Sequence, residues 1–108
     1  KAELSYEYYP GPVINDNDAL NKIAHDAVVE LYGEDILKDL PMVMGSEDFA
    51  YYMEKVPGVF AFLGSRNEDL GLVATNHNDA YTVDESILKR GSAYFAQFAW
   101  DYLNKANS

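Results

Sequence analysis

The sequence predicts an α/β fold class, and three observations carry that expectation. The first is a strand–turn–helix–turn–strand pattern running from Met42 to Leu63. The second is a pair of stretches with apolar residues at helical spacing, one after Asn15-Asp-Asn-Asp18 and one after Asp84. The third is Ala2 to Tyr9, which alternates as a half-buried strand does.

The central pattern is the most informative. Met42-Val-Met44 reads as a buried strand that turns sharply at Gly45, where the missing Cβ lets the backbone fold tightly. Ser46 is a good N-cap, and Glu47 and Asp48 fall in a first helical turn that favours negative charge. Phe49, Tyr52 and Met53 then share one helical face. Pro57-Gly58 ends the helix, and Val59-Phe-Ala-Phe-Leu63 reads as a second buried strand. A capped helix between two core strands accounts for all of this. The same turn, at the carboxyl end of a strand, is also where α/β sheets hold ligands, so Ser46, Glu47 and Asp48 are candidate site residues.

The remaining elements follow in chain order. Ala2, Leu4, Tyr6 and Tyr8 oppose Glu3, Ser5, Glu7 and Tyr9, a two-faced strand of the antiparallel kind. Pro10-Gly-Pro12 forces an extended connector and marks the expected domain boundary. Asn15 to Asp18 offers several N-caps; it lacks the glycine and distal glutamate of a calcium loop. The helix it opens carries Leu20, Ile23, Ala24, Ala27, Val28 and Leu31 on one face and stops at Gly33. His25, beside Asp26, falls near the polar face and reads as a surface histidine. One more helical turn is expected from Glu34 to Leu40, ended by Pro41.

Ser65 to Gly71 reads as a polar loop, and Leu72 to Thr75 as a short strand or extended segment. Thr82 and Glu85 have capping-box spacing, with Asp84 as the alternative cap. The long helix beyond them presents Ile87, Gly91, Phe95, Phe98 and Tyr102 inward, with Trp100 and Leu103 widening the stripe. Gly91 weakens a helix by about 1 kcal/mol against alanine, which predicts close packing against another backbone. Asn104 to Ser108 is expected to fray.

Composition excludes several classes of function. The 108 residues allow at most one ordinary domain, and 48% hydrophobic with 14% aromatic content excludes a disordered chain. Eighteen acidic against eight basic residues, a net charge of −10, argues against nucleic acid or an anionic membrane surface as partner. No apolar run approaches the roughly 18 residues of a membrane helix. The absence of cysteine removes disulfides and thiolate metal sites within the chain. With no secretory leader the cytoplasm is the expected compartment, although Lys1 is not an initiator methionine and suggests a start within a longer protein.

His77 is the candidate metal ligand. Asn76, Asn78 and Asp79 flank it just before a helix start, a setting that gives an imidazole polar support. A simple turn residue is the equal alternative, because catalytic zinc takes about three protein ligands and one histidine is not a site.

Three runs together carry a family resemblance: Met44-Gly-Ser-Glu-Asp-Phe-Ala-Tyr-Tyr52, Val56-Pro-Gly-Val-Phe-Ala-Phe-Leu-Gly64, and His77 with Tyr81, Val83, Asp84 and Glu85. They resemble the carboxyl-terminal portion of the metal-dependent N-acyl-amino-acid amidohydrolases. That is the aminoacylase and carboxypeptidase superfamily, with hippurate hydrolase and the plant auxin-conjugate hydrolases. The resemblance implies a zinc-peptidase-like catalytic domain over residues 13–108, preceded at 1–12 by the last strand and hinge of an inserted ferredoxin-like lid domain. It implies two divalent ions, zinc or else manganese, cobalt or nickel, a bridging water, and a glutamate base that cleaves an N-acyl amino acid or small peptide. His77 matches the final metal-ligand histidine, and Ser46, Glu47 and Asp48 match a loop lining the active site, either facing the substrate or standing behind the metal ligands. The parent is expected to dimerise through its lid.

Two departures bear on these expectations. Asp79 stands where the family has proline. The Cys-Gly-His-Asp run, the paired glutamates, the earlier ligand histidine and the lid histidine are absent, so the chain is expected to be an inactive fragment needing the remainder of the catalytic domain. The rival expectation is a non-catalytic acidic binding module descended from that family.

Overall fold

Helix α1 (Asp18–Tyr32) begins where the asparagine and aspartate cluster directs it to, and it anchors the rest of the chain. Its cap is Asn17, whose side-chain Oδ1 accepts from Leu20 N at 3.0 Å. It ends at Gly33, whose φ of 84° a β-carbon would strain, and a 3₁₀ turn (Glu34–Ile36) follows in place of the expected longer turn. The structure is a computed structural model and describes residues 1–9 and 11–105. Pro10, part of the expected boundary, and the last three residues of the expected frayed tail lie outside the described residues.

Helix α2 (Phe49–Met53) starts two residues later than Ser46 as cap requires. Ser46 is not the N-cap. The first helical bonds accept at Glu47 O (from Ala50 N, 3.1 Å) and Asp48 O (from Tyr51 N, 3.0 Å). The Glu47 carboxylate reaches Phe49 N at 3.3 Å and so takes the role expected of Ser46. The longer acidic side chain can fold back on the turn that it begins, whereas Ser46 lies outside that turn.

Helix α3 (Leu88–Lys105) is entered through a 3₁₀ turn (Glu85–Ile87) capped by Asp84, the alternative to the Thr82 box. It runs antiparallel to α1. Tyr32 donates its hydroxyl to Arg90 O at 3.0 Å, Gln97 donates to Glu30 at 3.3 Å, and Lys105 reaches Asp26 at 3.3 Å. Leu20, Ala24 and Ala27 are the buried residues of this pairing. Small side chains at 24 and 27 let the two helices approach closely. Phe98 is half-buried, but Phe95, Tyr102, Trp100 and Leu103 of the expected inward stripe are exposed. Gly91 meets the Leu63 Cδ2 methyl, 3.1 Å from where a β-carbon would stand, rather than a backbone.

The described residues contain one antiparallel bridge, Asn67 with Leu72, and no strand. Residues 2–9, 42–44 and 59–63, expected as strands, show no ladder among the described residues. A strand is stable only against neighbours, and no neighbouring strand is presented to these. Phe60 is instead held by a side chain: Asn15 donates Nδ2 to Phe60 O at 2.8 Å and accepts from Phe60 N at 2.9 Å. Phe49, Phe60 and Phe62 pack as a small aromatic group, with ring centroids 5.6 and 5.2 Å apart in sequence.

Much apolar surface is left uncovered. The accessible area is 9371 Å², against about 6,000 Å² for a compact monomer of this mass. The radius of gyration of 17.3 Å likewise exceeds the ~13 Å of a compact domain. Met42, Met44 and Tyr8 are almost fully exposed. Both numbers describe a chain whose hydrophobic faces extend past its own core.

Candidate functional site

The loop that carries His77 is a closed excursion with a pinned base. Asp84 closes it. Its Oδ2 accepts from Asn67 Nδ2 at 2.7 Å, its Oδ1 from Ser86 N at 2.9 Å, and its own N–H donates to Ser65 O at 3.3 Å. One carboxylate thus ties the loop's first residues to the start of α3. These donors, Asn67 foremost and Ser86 next, hold the Asp84 carboxyl below its ordinary value of 3.8. Partway along, Asn67 and Leu72 exchange backbone bonds of 3.0 and 2.8 Å around a turn that Gly71 completes at φ 69°.

His77 stands at the exposed apex of this excursion with φ 63°, the one non-glycine residue with positive φ among those described. Asn78 steadies the descending side, accepting from Ala80 N at 2.9 Å through its side chain and from Tyr81 N at 3.0 Å through its carbonyl. Below the apex, Ser65, Arg66, Thr75, Asn76, Tyr81 and Thr82 line a recess of about 330 Å³. An exposed imidazole on a sharply turned, pinned loop is suited to reach a partner outside the loop. Left-handed backbone at a histidine is uncommon and is maintained by the ties on either side.

Ser46, Glu47 and Asp48 are all exposed. Glu47 is committed to the start of α2, while Ser46 and Asp48 make no side-chain hydrogen bond among the described residues. No hydrogen bond or ion pair among the described residues joins this turn to His77. No group of three or more His, Cys, Asp or Glu side chains able to hold an ion occurs among the described residues either. His77 is a chemically suitable donor, but it fits one ligand position and not a site. His25 behaves as the sequence suggests: it is exposed and lies 3.5 Å from Asp26. Asp26 is held down to about 2, first by Lys22 and then by Lys105 and His25.

Two residues of consequence are less visible in the sequence. Asn67 reads only as part of a polar loop, although Asn67-Glu-Asp-Leu-Gly71 has the composition of a tight turn. Asn15 reads as one of four caps, and nothing local signals its long-range pairing with Phe60.

The sequence profile of peptidase family M20/M25/M40 matches residues 1–101. The chain belongs to this family. Among its similar relatives, IAA-amino acid hydrolase ILR1-like 6 of Arabidopsis thaliana is 38% identical over 97 residues, covering 90% of this chain and 21% of the relative. N-acetylcysteine deacetylase of Bacillus subtilis is 34% identical over 99 residues, 92% of this chain and 24% of the relative. Thermostable carboxypeptidase 2 of Saccharolobus solfataricus is 43% identical over 63 residues, 58% of this chain and 16% of the relative. The chain therefore spans a quarter or less of the length of these three M20/M25/M40 relatives. No solved structure matches it. The relatives' names share one property: each denotes an enzyme that splits an amide or peptide bond to an amino acid or releases an acyl group from one.

Proposed function

We propose that this chain is a carboxyl-terminal part of a metal-dependent amidohydrolase acting on N-acyl amino acids or small peptides. The observation that carries the reading is the family match across residues 1–101, together with relatives named as hydrolases of such compounds. Residues 13–108 belong in this reading to an α/β catalytic domain, and residues 1–12 form the last strand and hinge of an inserted lid through which the parent dimerises. The rest of the catalytic domain covers the exposed faces around Met42, Phe62 and Phe95 and pairs with the three unpaired extended stretches. The excess of accessible surface supports that reading, since a finished domain of this mass leaves much less uncovered.

His77 supplies one ligand in this proposal, and the other ligands come from the remainder of the domain. When bound there, two divalent ions, zinc or else manganese, cobalt or nickel, would supply the activation of a water for attack on the amide. Ser46 and Asp48 line the substrate side, with Glu47 holding their turn on α2. The cytoplasm is the proposed compartment.

The test compares the full-length protein with this chain alone on N-acetyl and N-benzoyl amino acids. The full-length protein turns over, loses activity to a chelator and regains it with added divalent ions; the chain alone gives no turnover with any of the four metals. Turnover by the purified chain refutes the fragment reading. A full-length protein inert with every metal favours the second reading, an acidic non-catalytic binding module, for which the net charge of −10 speaks.

A further inference from the structure

The connector between residues 11 and 17 changes character at one residue. Before Ile14, the described residues make a single side-chain bond, Tyr9 to Glu7 at 3.4 Å, and no backbone hydrogen bond. Gly11 and Pro12 are exposed, and a β-carbon on Gly11 would meet nothing within 4 Å. Asn15, Asp16 and Asn17, by contrast, are each tied. Asn15 O accepts from Asn21 Nδ2 at 2.8 Å, Asp16 N donates to Ile14 O at 3.0 Å, and Asn17 caps α1. The Asn15 side chain makes the reciprocal pair with Phe60 N and O at 2.9 and 2.8 Å.

That pair has the pattern of a hydrogen-bonded residue pair in an antiparallel sheet, in which both partners exchange N–H and C=O. A primary amide carries one donor and one acceptor side by side, so it can stand in for a strand at a single residue. Aspartate at 15 would keep the acceptor and set a lone pair against Phe60 O. Leucine would remove both bonds at similar size. Beneath the free part of the connector lies an open cleft of about 500 Å³, with Gly11, Pro12 and Ile14 on one wall and Met53 to Gly58 on the other. The unbonded stretch therefore has room to move on the side facing α2.

We propose that Asn15 is the anchor pinning the connector to the body formed by α1, α2 and Phe60, so that rotation of the preceding segment is taken up between Gly11 and Ile14. The hinge thereby ends later than the Pro10-Gly-Pro12 composition suggests. Asn15 also occupies the Phe60 edge of residues 59–63, so a partner strand can add there only along the other edge, where Val59 and Ala61 have no hydrogen-bond partner among the described residues. These bonds and the cleft carry the anchor, while the rotation it limits rests on the reading of residues 1–12 as a lid strand and hinge.

Residue-resolved hydrogen exchange on the full-length protein tests it. In the unaltered protein, Gly11, Val13 and Ile14 should exchange fast while Phe60 is slow; slow exchange at Gly11 and Val13 overturns the hinge. In Asn15→Leu, exchange at Phe60 should rise by about ten- to a hundredfold, the loss expected for two hydrogen bonds, with α1 from Leu20 to Leu31 unchanged. Asn15→Asp should raise it less, because the acceptor for Phe60 N remains. Unchanged exchange at Phe60 in Asn15→Leu overturns the anchor, and so does an equal rise across α1 and α3, the signature of general destabilisation.

Discussion

Gly91→Ala tests whether the packing around α3 is understood. A glycine inside a helix costs about 1 kcal/mol relative to alanine, and Gly91 lies in the second turn of α3. The added methyl would stand 3.1 Å from Leu63 Cδ2, closer than the 3.5–4.0 Å at which carbons attract best. Leu63 must therefore give way by a few tenths of an ångström. It is 50% exposed, so its terminal methyl can rotate toward solvent at a cost of about 0.5 kcal/mol, that of a side chain held slightly off its rotamer. The helix gain exceeds that cost, and the net expectation is a stabilisation of about 0.5 kcal/mol. Urea denaturation of the full-length variant beside its parent, compared at equal slope, reads this directly. A loss of 1 kcal/mol or more would mean that something stiffer than a leucine methyl, a neighbouring backbone, meets this position. The sequence expectation for Gly91 would then be right and the Leu63 contact incomplete.

The two histidines should separate cleanly in the full-length protein. His77→Ala is expected to lose metal at one site and nearly all turnover while the melting profile barely changes, whereas His25→Ala should stay within about 0.5 kcal/mol of parental stability and keep its activity. Elemental analysis with turnover and a thermal melt for each variant decides it, and a full metal complement in His77→Ala would discard the ligand assignment. Acid should loosen the far end of the α1–α3 pair. The Asp26 carboxyl lies at about 2, below its ordinary 3.8, so the stability it contributes is present above 3.8 and is lost as pH falls toward 2. Carbon-detected titration of Asp26 should show the low midpoint, and Lys22→Met should raise it more than Lys105→Met; a midpoint near 3.8 in the unaltered protein refutes the assignment.

The helices were legible because their signals are local. Asn17, Gly33 and Asp84 act through neighbours within a few positions, and the burial of Leu20, Ala24 and Ala27 follows from their spacing along α1. The extended stretches were not legible to the same degree, because alternation or an apolar run says that a face will be covered without saying by what. Phe95 and Tyr102 show the same limit: their spacing places them on an apolar stripe, and α1 is too narrow to cover all of it. The start of α2 was misread for a different reason, since Ser46 and Glu47 can both cap and only the backbone path decides between them. At the candidate site, His77 was visible as a residue type in a polar turn. The ties that shape its loop, Asn67 to Asp84 across seventeen positions, are long-range and carry no local mark.

The pinned base of the His77 excursion has a bearing on how such a loop can vary. Once Ser65 and Asp84 hold its two ends together, the entropy of closure is already borne by that tie. Lengthening the chain between them then adds little: even doubling a flexible loop raises the closure cost by only about 0.6 kcal/mol. Insertions beyond Leu72 and before Thr82 would change the reach of the apex while α3 kept its starting point, because Asp84 caps the 3₁₀ turn that opens that helix and fastens the loop with the same carboxylate. The fastening separates the inheritance of the scaffold from that of the apex. Descendants of one such chain can explore loop length and tip chemistry without renegotiating the helix on which the loop stands.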